Sequence, residues 1–259
     1  MAYTFASDLP DPNYKIGPGG QTLSTGEAGP GFASIKLIND QKMLVNRTNS
    51  QRLLARSIVG QKWKIDITYH PMTRAEFEPV YSFLLRQNGP LTPFFVSLPQ
   101  YRIPQSSEWN TTVTSTFQNS GATTLVNAIT SAGNVSAGSP AVLLTVTKHA
   151  SATSETAWAH NSGLNTPRPG DMVTFSNHTK AYLVTHVETN SIFQDATAQP
   201  TASQIKIGIS PPLSQALTTG TLTTFSNPKI KVVMPQPLGD YSLNTNNLYS
   251  FNLRLEEYL

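Results

Sequence analysis

From Lys62 to Tyr69 the chain alternates without a break. Trp63, Ile65, Ile67 and Tyr69 fall on one side, and Lys62, Lys64, Asp66 and Thr68 on the other. A period of two sustained this long predicts a strand with one buried and one wetted face. Pro71 ends it. Thr73 followed three residues later by Glu76 marks a helix N-terminus, and Phe77, Val80, Tyr81, Leu84 and Leu85 then recur at helical spacing. Asn88-Gly89-Pro90 supplies the stop, so a helix is predicted over about 74–87. Pro79 lies within that range; a start nearer Glu76 would place it in the first turn, where its missing N–H does no harm. Phe94 to Leu98 reads as a second, more buried strand. Tyr249, Phe251, Leu253 and Leu255 alternate with polar residues in the same way, and are expected to return to the sheet begun at Trp63.

Two stretches break this pattern. Residues 1–34 have no periodic apolar positions and are punctuated from Pro10 to Gly31 by glycine and proline. They read as an extended arm with no packed element of its own, which could be deleted with the fold intact. Residues 103–226 carry nine charged side chains, against seventeen in the first hundred. Strand-like runs recur there at Thr123–Ile129, Ala141–Thr147, Asp171–Phe175, Ala181–Val187 and Gln204–Ile209, spaced by turn residues. Such spacing predicts a small antiparallel barrel or sandwich. The expected fold class is therefore mainly β. A sandwich-like domain (35–102 and 227–259) carries the helix, and 103–226 is inserted into it as a second β domain.

Composition sharpens this reading. Charged residues are only 13% of the 259, with 19 Pro and 16 Gly, which suits many turns and few solvated helices. There is no cysteine, so disulfide staples and thiolate chemistry are excluded. No apolar run approaches the ~18 residues of a membrane-spanning helix, and Met1-Ala2-Tyr3-Thr4-Phe5 lacks the features of a signal peptide. The expectation is an unsecreted chain with no membrane partner. Net charge is +3, yet Lys36, Lys42, Arg47, Arg52, Arg56, Lys62 and Lys64 are opposed within their span by Asp40 alone. This cluster is either a patch for phosphate or an acidic partner, or the solvated side of amphipathic strands.

Catalytic motifs are missing. No Gly-x-Ser-x-Gly elbow, His-Glu-x-x-His pair, phosphate loop or EF-hand loop occurs, and the acids Glu76, Glu78, Glu256 and Glu257 have structural explanations. The five histidines, His70, His149, His160, His178 and His186, match no metal-ligand spacing, although His178 and His186 share a hairpin near Asp171. No enzyme, cofactor or metal is expected. Trp109 and Trp158 stand in polar, loop-like sequence. Each either stacks on a sugar, anchors an interface, or plugs an end of the small barrel.

Taken together, Gln61-Lys62-Trp63-Lys64-Ile65, Tyr69-His70-Pro71-Met72-Thr73, Glu76-Phe77 and Phe83-Leu84 before Gly89 resemble the core of the distal tail protein and related tail-tip proteins of long-tailed bacteriophages. Gly170-Asp171-Met172-Val173, Tyr182-Leu183-Val184-Thr185 and Ile207 to Leu213 are similar to an inserted β domain in such proteins. The resemblance covers about half of the chain and rests on packing residues. It implies a ring of copies, six in that family, joining the tail tube protein to the hub protein. It implies too that the insert holds peripheral or receptor-binding proteins, and that the chain belongs to the virion after assembly in the host cytoplasm. The family has no catalytic residues to carry over. The Gly/Pro-rich arm departs from its pattern, so the distal ring and an adjacent baseplate or hub component both stay open. A carbohydrate- or receptor-binding module carried by Trp109 and Trp158 is the alternative function, and an unseen polysaccharide-degrading site a third. Sequence-specific nucleic-acid binding is not expected.

Overall fold

The computed structural model describes residues 7–16, 20, 22–23, 29–58, 60–107, 109–110, 116–117, 125–126, 128–147, 166–189, 200 and 204–259. The chain is mainly β, with an α-helix in its first unit and antiparallel sheets that include a nearly closed, barrel-like one. It divides into two units: residues 1–96 with 231–259, and residues 97–230.

The first unit is built on a five-stranded sheet ordered β3 (Phe32–Asp40), β6 (Lys62–Tyr69), β19 (Asn252–Glu257), β16 (Lys229–Val233), β7 (Phe94–Ser97). The alternation of Lys62–Tyr69 plays out as read: Trp63, Ile65, Ile67 and Tyr69 are all buried. The terminal strand returns to it, with Leu253 opposite Ile67 and Leu255 opposite Ile65. Clearing four such apolar side chains from water stabilises the fold by roughly 1.5–3 kcal/mol each. The backbone N–H of Trp63 also donates to the carboxylate of the fully buried Glu257, at 3.1 Å.

Helix α1 spans Arg74–Gln87. At its start the N–H and hydroxyl of Thr73 both donate to Glu76 Oε2, at 2.9 and 2.8 Å. At its end Asn88 adopts the left-handed conformation, φ 52°. Two details differ from the sequence reading. Because the helix begins at Arg74, Pro79 falls in the second turn and forfeits the bond that an N–H there would make to Ala75. The buried stripe is Phe77, Val80, Phe83, Leu84 and Gln87, leaving Leu85 exposed and Tyr81 half-buried. Phe77 lies parallel to Tyr249 of β18 (Tyr249–Ser250), ring centroids 4.5 Å apart. That strand pairs with β17 (Ser242–Leu243).

The N-terminal segment corrects the expectation of an unpacked arm. Leu9 is buried, and its N–H donates to Phe95 O at 2.8 Å while Phe95 N–H donates to Ser7 O, also 2.8 Å. Residues 7–9 thus finish the β7 edge of the sheet by a parallel bridge. The strands β1 (Lys15–Ile16) and β2 (Thr22–Leu23) pair with each other, and Phe32 to Ser34 already belong to β3. Gly29 lies so close to the backbone of Pro10 and Asp11 that a Cβ would overlap it. Leu9→Ala is therefore expected to cost about 2–4 kcal/mol. Urea unfolding read by tryptophan fluorescence checks this, and an unchanged midpoint would return the segment to the status of a loose arm.

The second unit centres on a six-stranded sheet ordered β10 (Ala128–Ser131), β11 (Ala141–Thr147), β14 (Gln204–Ser210), β13 (Ala181–Glu188), β12 (Met172–Phe175), β15 (Thr223–Thr224). The first and last strands approach closure: Ser131 N–H donates to Thr221 O at 2.9 Å, beside a bridge between Thr130 and Leu222. Short strands β8 (Thr116–Phe117) and β9 (Leu125–Val126) pair outside it. Leu144 faces Ile205 and Val142 faces Ile207 across β11 and β14, and these four join Val173, Tyr182, Val184 and Phe225 in one core.

Candidate functional site

The most unusual element is a strand pair whose large apolar side chains are exposed. After Asp40 and before Lys62, β3 and β6 continue as a second pair of strands, β4 (Met43–Arg47) and β5 (Leu53–Ser57). Ile58 N–H donates to Lys42 O at 2.9 Å, so the two pairs form one long ribbon interrupted by a register shift. Its turn is closed locally. Thr48 N–H donates to Arg52 O, Gln51 N–H to Thr48 O and Arg52 N–H to the Thr48 hydroxyl, at 2.9–3.1 Å. Gln51 takes the left-handed conformation, φ 64°, that this tight reversal requires.

The ribbon belongs to no larger sheet: β4 and β5 pair only with each other among the described residues. Five residues per strand carry it roughly 17 Å. Residues opposite each other share a face, so Met43, Val45, Arg47, Leu53 and Ala55 occupy one side and Leu44, Asn46, Leu54 and Arg56 the other. The large apolar side chains are at least half exposed, from 50% for Leu54 to 61% for Leu44. Both outer edges present backbone N–H and C=O groups that pair with no further strand among the described residues, which makes them templates for another strand.

The basic cluster divides along the same line. At the base, Lys64 pairs with Asp40 at 2.8 Å and Lys62 with Glu256 at 3.0 Å, while Lys36 stands opposite Asp66. Asp40 is held below the usual carboxylate range, first by the Lys64 hydrogen bond. These cations belong to a solvated, charge-alternating sheet face. Lys42, Arg47, Arg52 and Arg56 lie on or beside the ribbon and form no ion pair among the described residues; Lys42 still feels Asp40 two residues away, while the three arginines have no acid in their stretch of sequence. The cluster read from sequence is thus two surfaces, one balanced and one not.

The aromatic candidates fare differently. Trp109 is fully buried in the second unit's core, edge-on to Phe225 with centroids 5.3 Å apart. It plugs the barrel-like sheet and offers no ring face to a sugar. Trp158 lies outside the described residues, as do His149 and His160. Among the described residues no group of three His, Asp or Glu side chains converges on a metal position. Both Asp171 oxygens accept backbone N–H groups, from Gln105 at 3.0 Å and Arg168 at 2.8 Å, so this acid braces a loop.

His178 does join a polar chain. Its Nδ1 lies 2.6 Å from Asn177 Oδ1 and its Nε2 2.7 Å from the Tyr182 hydroxyl, which accepts the Ser214 N–H at 2.9 Å. The chain ties residues 177–182 to the 214 loop. Burial, and then Lys180, push the His178 pKa below its ordinary 6.5. Protonation therefore favours the unfolded chain. The second unit should keep full stability above about pH 6.5 and lose it as pH falls toward the lower folded-state value. Thermal melts from about pH 7.5 to about pH 5, which bracket the ordinary imidazole range, check this, and His178→Gln should flatten the slope. An unchanged slope would remove His178 from the account.

No family model matches this chain, and no curated protein matches it. The ribbon is the surface that the geometry singles out.

Proposed function

We propose that this chain is a structural, non-catalytic component of a phage tail tip. It assembles as a ring of copies that joins the tail tube to the hub and anchors peripheral proteins. The observation that carries the assembly is the ribbon with two open edges and exposed apolar side chains. An element of this kind aggregates unless another strand covers it. Rotational symmetry supplies the cover. With ribbons pointing the same way around an axis, β5 of one copy runs antiparallel to β4 of the next, and each edge finds a partner. Finishing the β7 edge with residues 7–9 supports this reading, because the chain protects one edge of its sheet internally and leaves the ribbon open.

Light scattering across a range of concentrations tests the proposal. The expected mass is that of about six copies of the 28.2 kDa chain. A single-chain mass at every concentration would overturn it.

A further inference from the structure

Edge pairing covers backbone and leaves both faces of the ribbon bare, which raises the separate question of what those faces meet. We propose that the ribbon is a lipid-interface element that docks on anionic phospholipid headgroup surfaces.

Three observations converge. The first is that apolar side chains stand out on both faces, Met43, Val45 and Leu53 on one and Leu44 and Leu54 on the other. A fluid lipid interface takes up whichever of the two faces is turned toward it. The second is charge. Arg47, Arg52 and Arg56 concentrate positive charge on the same short element with no ion pair among the described residues, and Lys42 adds to it beside Asp40, while the lysines at its base are matched by acids. Cations beside exposed apolar side chains complement a layer of phosphates above acyl chains. The third is dimension. The apolar zone is about three residues long on each strand, roughly 10 Å, far short of a ~30 Å hydrocarbon core. The polar turn Thr48–Arg52 closes the far end and opposes insertion tip-first. The ribbon therefore lies in the interface and does not cross it.

Duplex nucleic acid would satisfy the cations but gives the leucines nothing to bury against. The expectation of no membrane partner rested on the lack of a long apolar run, and a short two-stranded ribbon does not produce one. Docking needs no ring, although repeated ribbons in an assembly would multiply its strength.

Sedimentation of the full chain with large unilamellar vesicles tests this, using phosphatidylcholine alone or mixed equally with phosphatidylglycerol. Partitioning onto the anionic vesicles is expected to exceed that onto neutral ones by ~10-fold or more, at about fivefold per engaged cation. Val45→Ser with Leu54→Ser, one change on each face, should weaken binding by ~10-fold or more. Lys42→Gln with Arg56→Gln should weaken the preference for anionic lipid by about fivefold for each cation removed. Both pairs are exposed, so unchanged thermal transitions confirm that the fold is intact. Three results would each overturn the proposal: no sedimentation with anionic vesicles, full binding by the serine variant with loss only in the glutamine variant (a simple polyanion patch), or loss of multimer mass in the serine variant without any vesicle binding by the parent (a contact between copies). The mass is read without lipid, so failure of the ring and failure of the lipid contact are told apart.

Discussion

Replacing residues 43–57 by Asn-Gly should convert the multimer to single chains while the thermal transitions stay where they were. The design follows from the register. Lys42 and Ile58 are already joined by a cross-strand hydrogen bond, so a two-residue loop between them completes a hairpin of the tightest kind. The removed segment holds Met43, Leu44, Val45, Leu53 and Leu54, all exposed, and none of the core residues. Stability of the isolated chain should therefore change by less than about 1 kcal/mol, as for other surface changes. Assembly should change from about six copies to one, because both pairing edges leave together. Light scattering with a parallel melt separates the outcomes. An unchanged mass would place the contacts between copies elsewhere on the molecule. A lowered melting temperature would mean that the ribbon supports the fold it projects from.

The second large effect is expected at Trp63. Its ring is buried on β6 between the strands β3 and β19, and its N–H is bound to a carboxylate that is itself fully buried. Trp63→Ala leaves a cavity in the middle of the sheet and should cost about 3–5 kcal/mol in the first unit. Urea unfolding followed by circular dichroism reads this as a lower midpoint. Thr68→Ala, on the exposed face of the same strand, serves as the control and should shift it little. A shift below about 1 kcal/mol at Trp63 would mean that the site collapses around the missing ring, and that the sheet does not depend on it.

Local grammar made several elements legible. The alternation around Trp63 predicted which side chains of β6 are buried, and the similar alternation near the C-terminus predicted its return to the same sheet. Thr73 and Glu76 located the helix start because a capping box is a short-range device, completed within four residues. Runs of β-forming residues spaced by turns indicated the strands of the second unit for the same reason. The ribbon had a signal too, Met43-Leu44-Val45 and Leu53-Leu54 flanking a polar turn. Those runs look like any pair of core strands. Their meaning lies in their exposure, which is a property of what surrounds them.

Three further outcomes required the folded chain. Trp109 sits in polar sequence and is nevertheless buried, because Phe225, more than a hundred residues later, covers it. Leu9 lies among prolines and glycines and is buried because β7 offers it an edge. The basic cluster separated in two because Glu256, supplied by the returning C-terminal strand, reaches Lys62, while among the described residues no acid forms an ion pair with Arg47, Arg52 or Arg56. By itself, then, the sequence determined the period of each element, its caps and the mainly β class, since backbone geometry and short-range hydrogen bonds act between near neighbours. The tertiary structure alone decided which apolar residues are core and which are surface, because burial depends on distant segments that the local pattern does not contain.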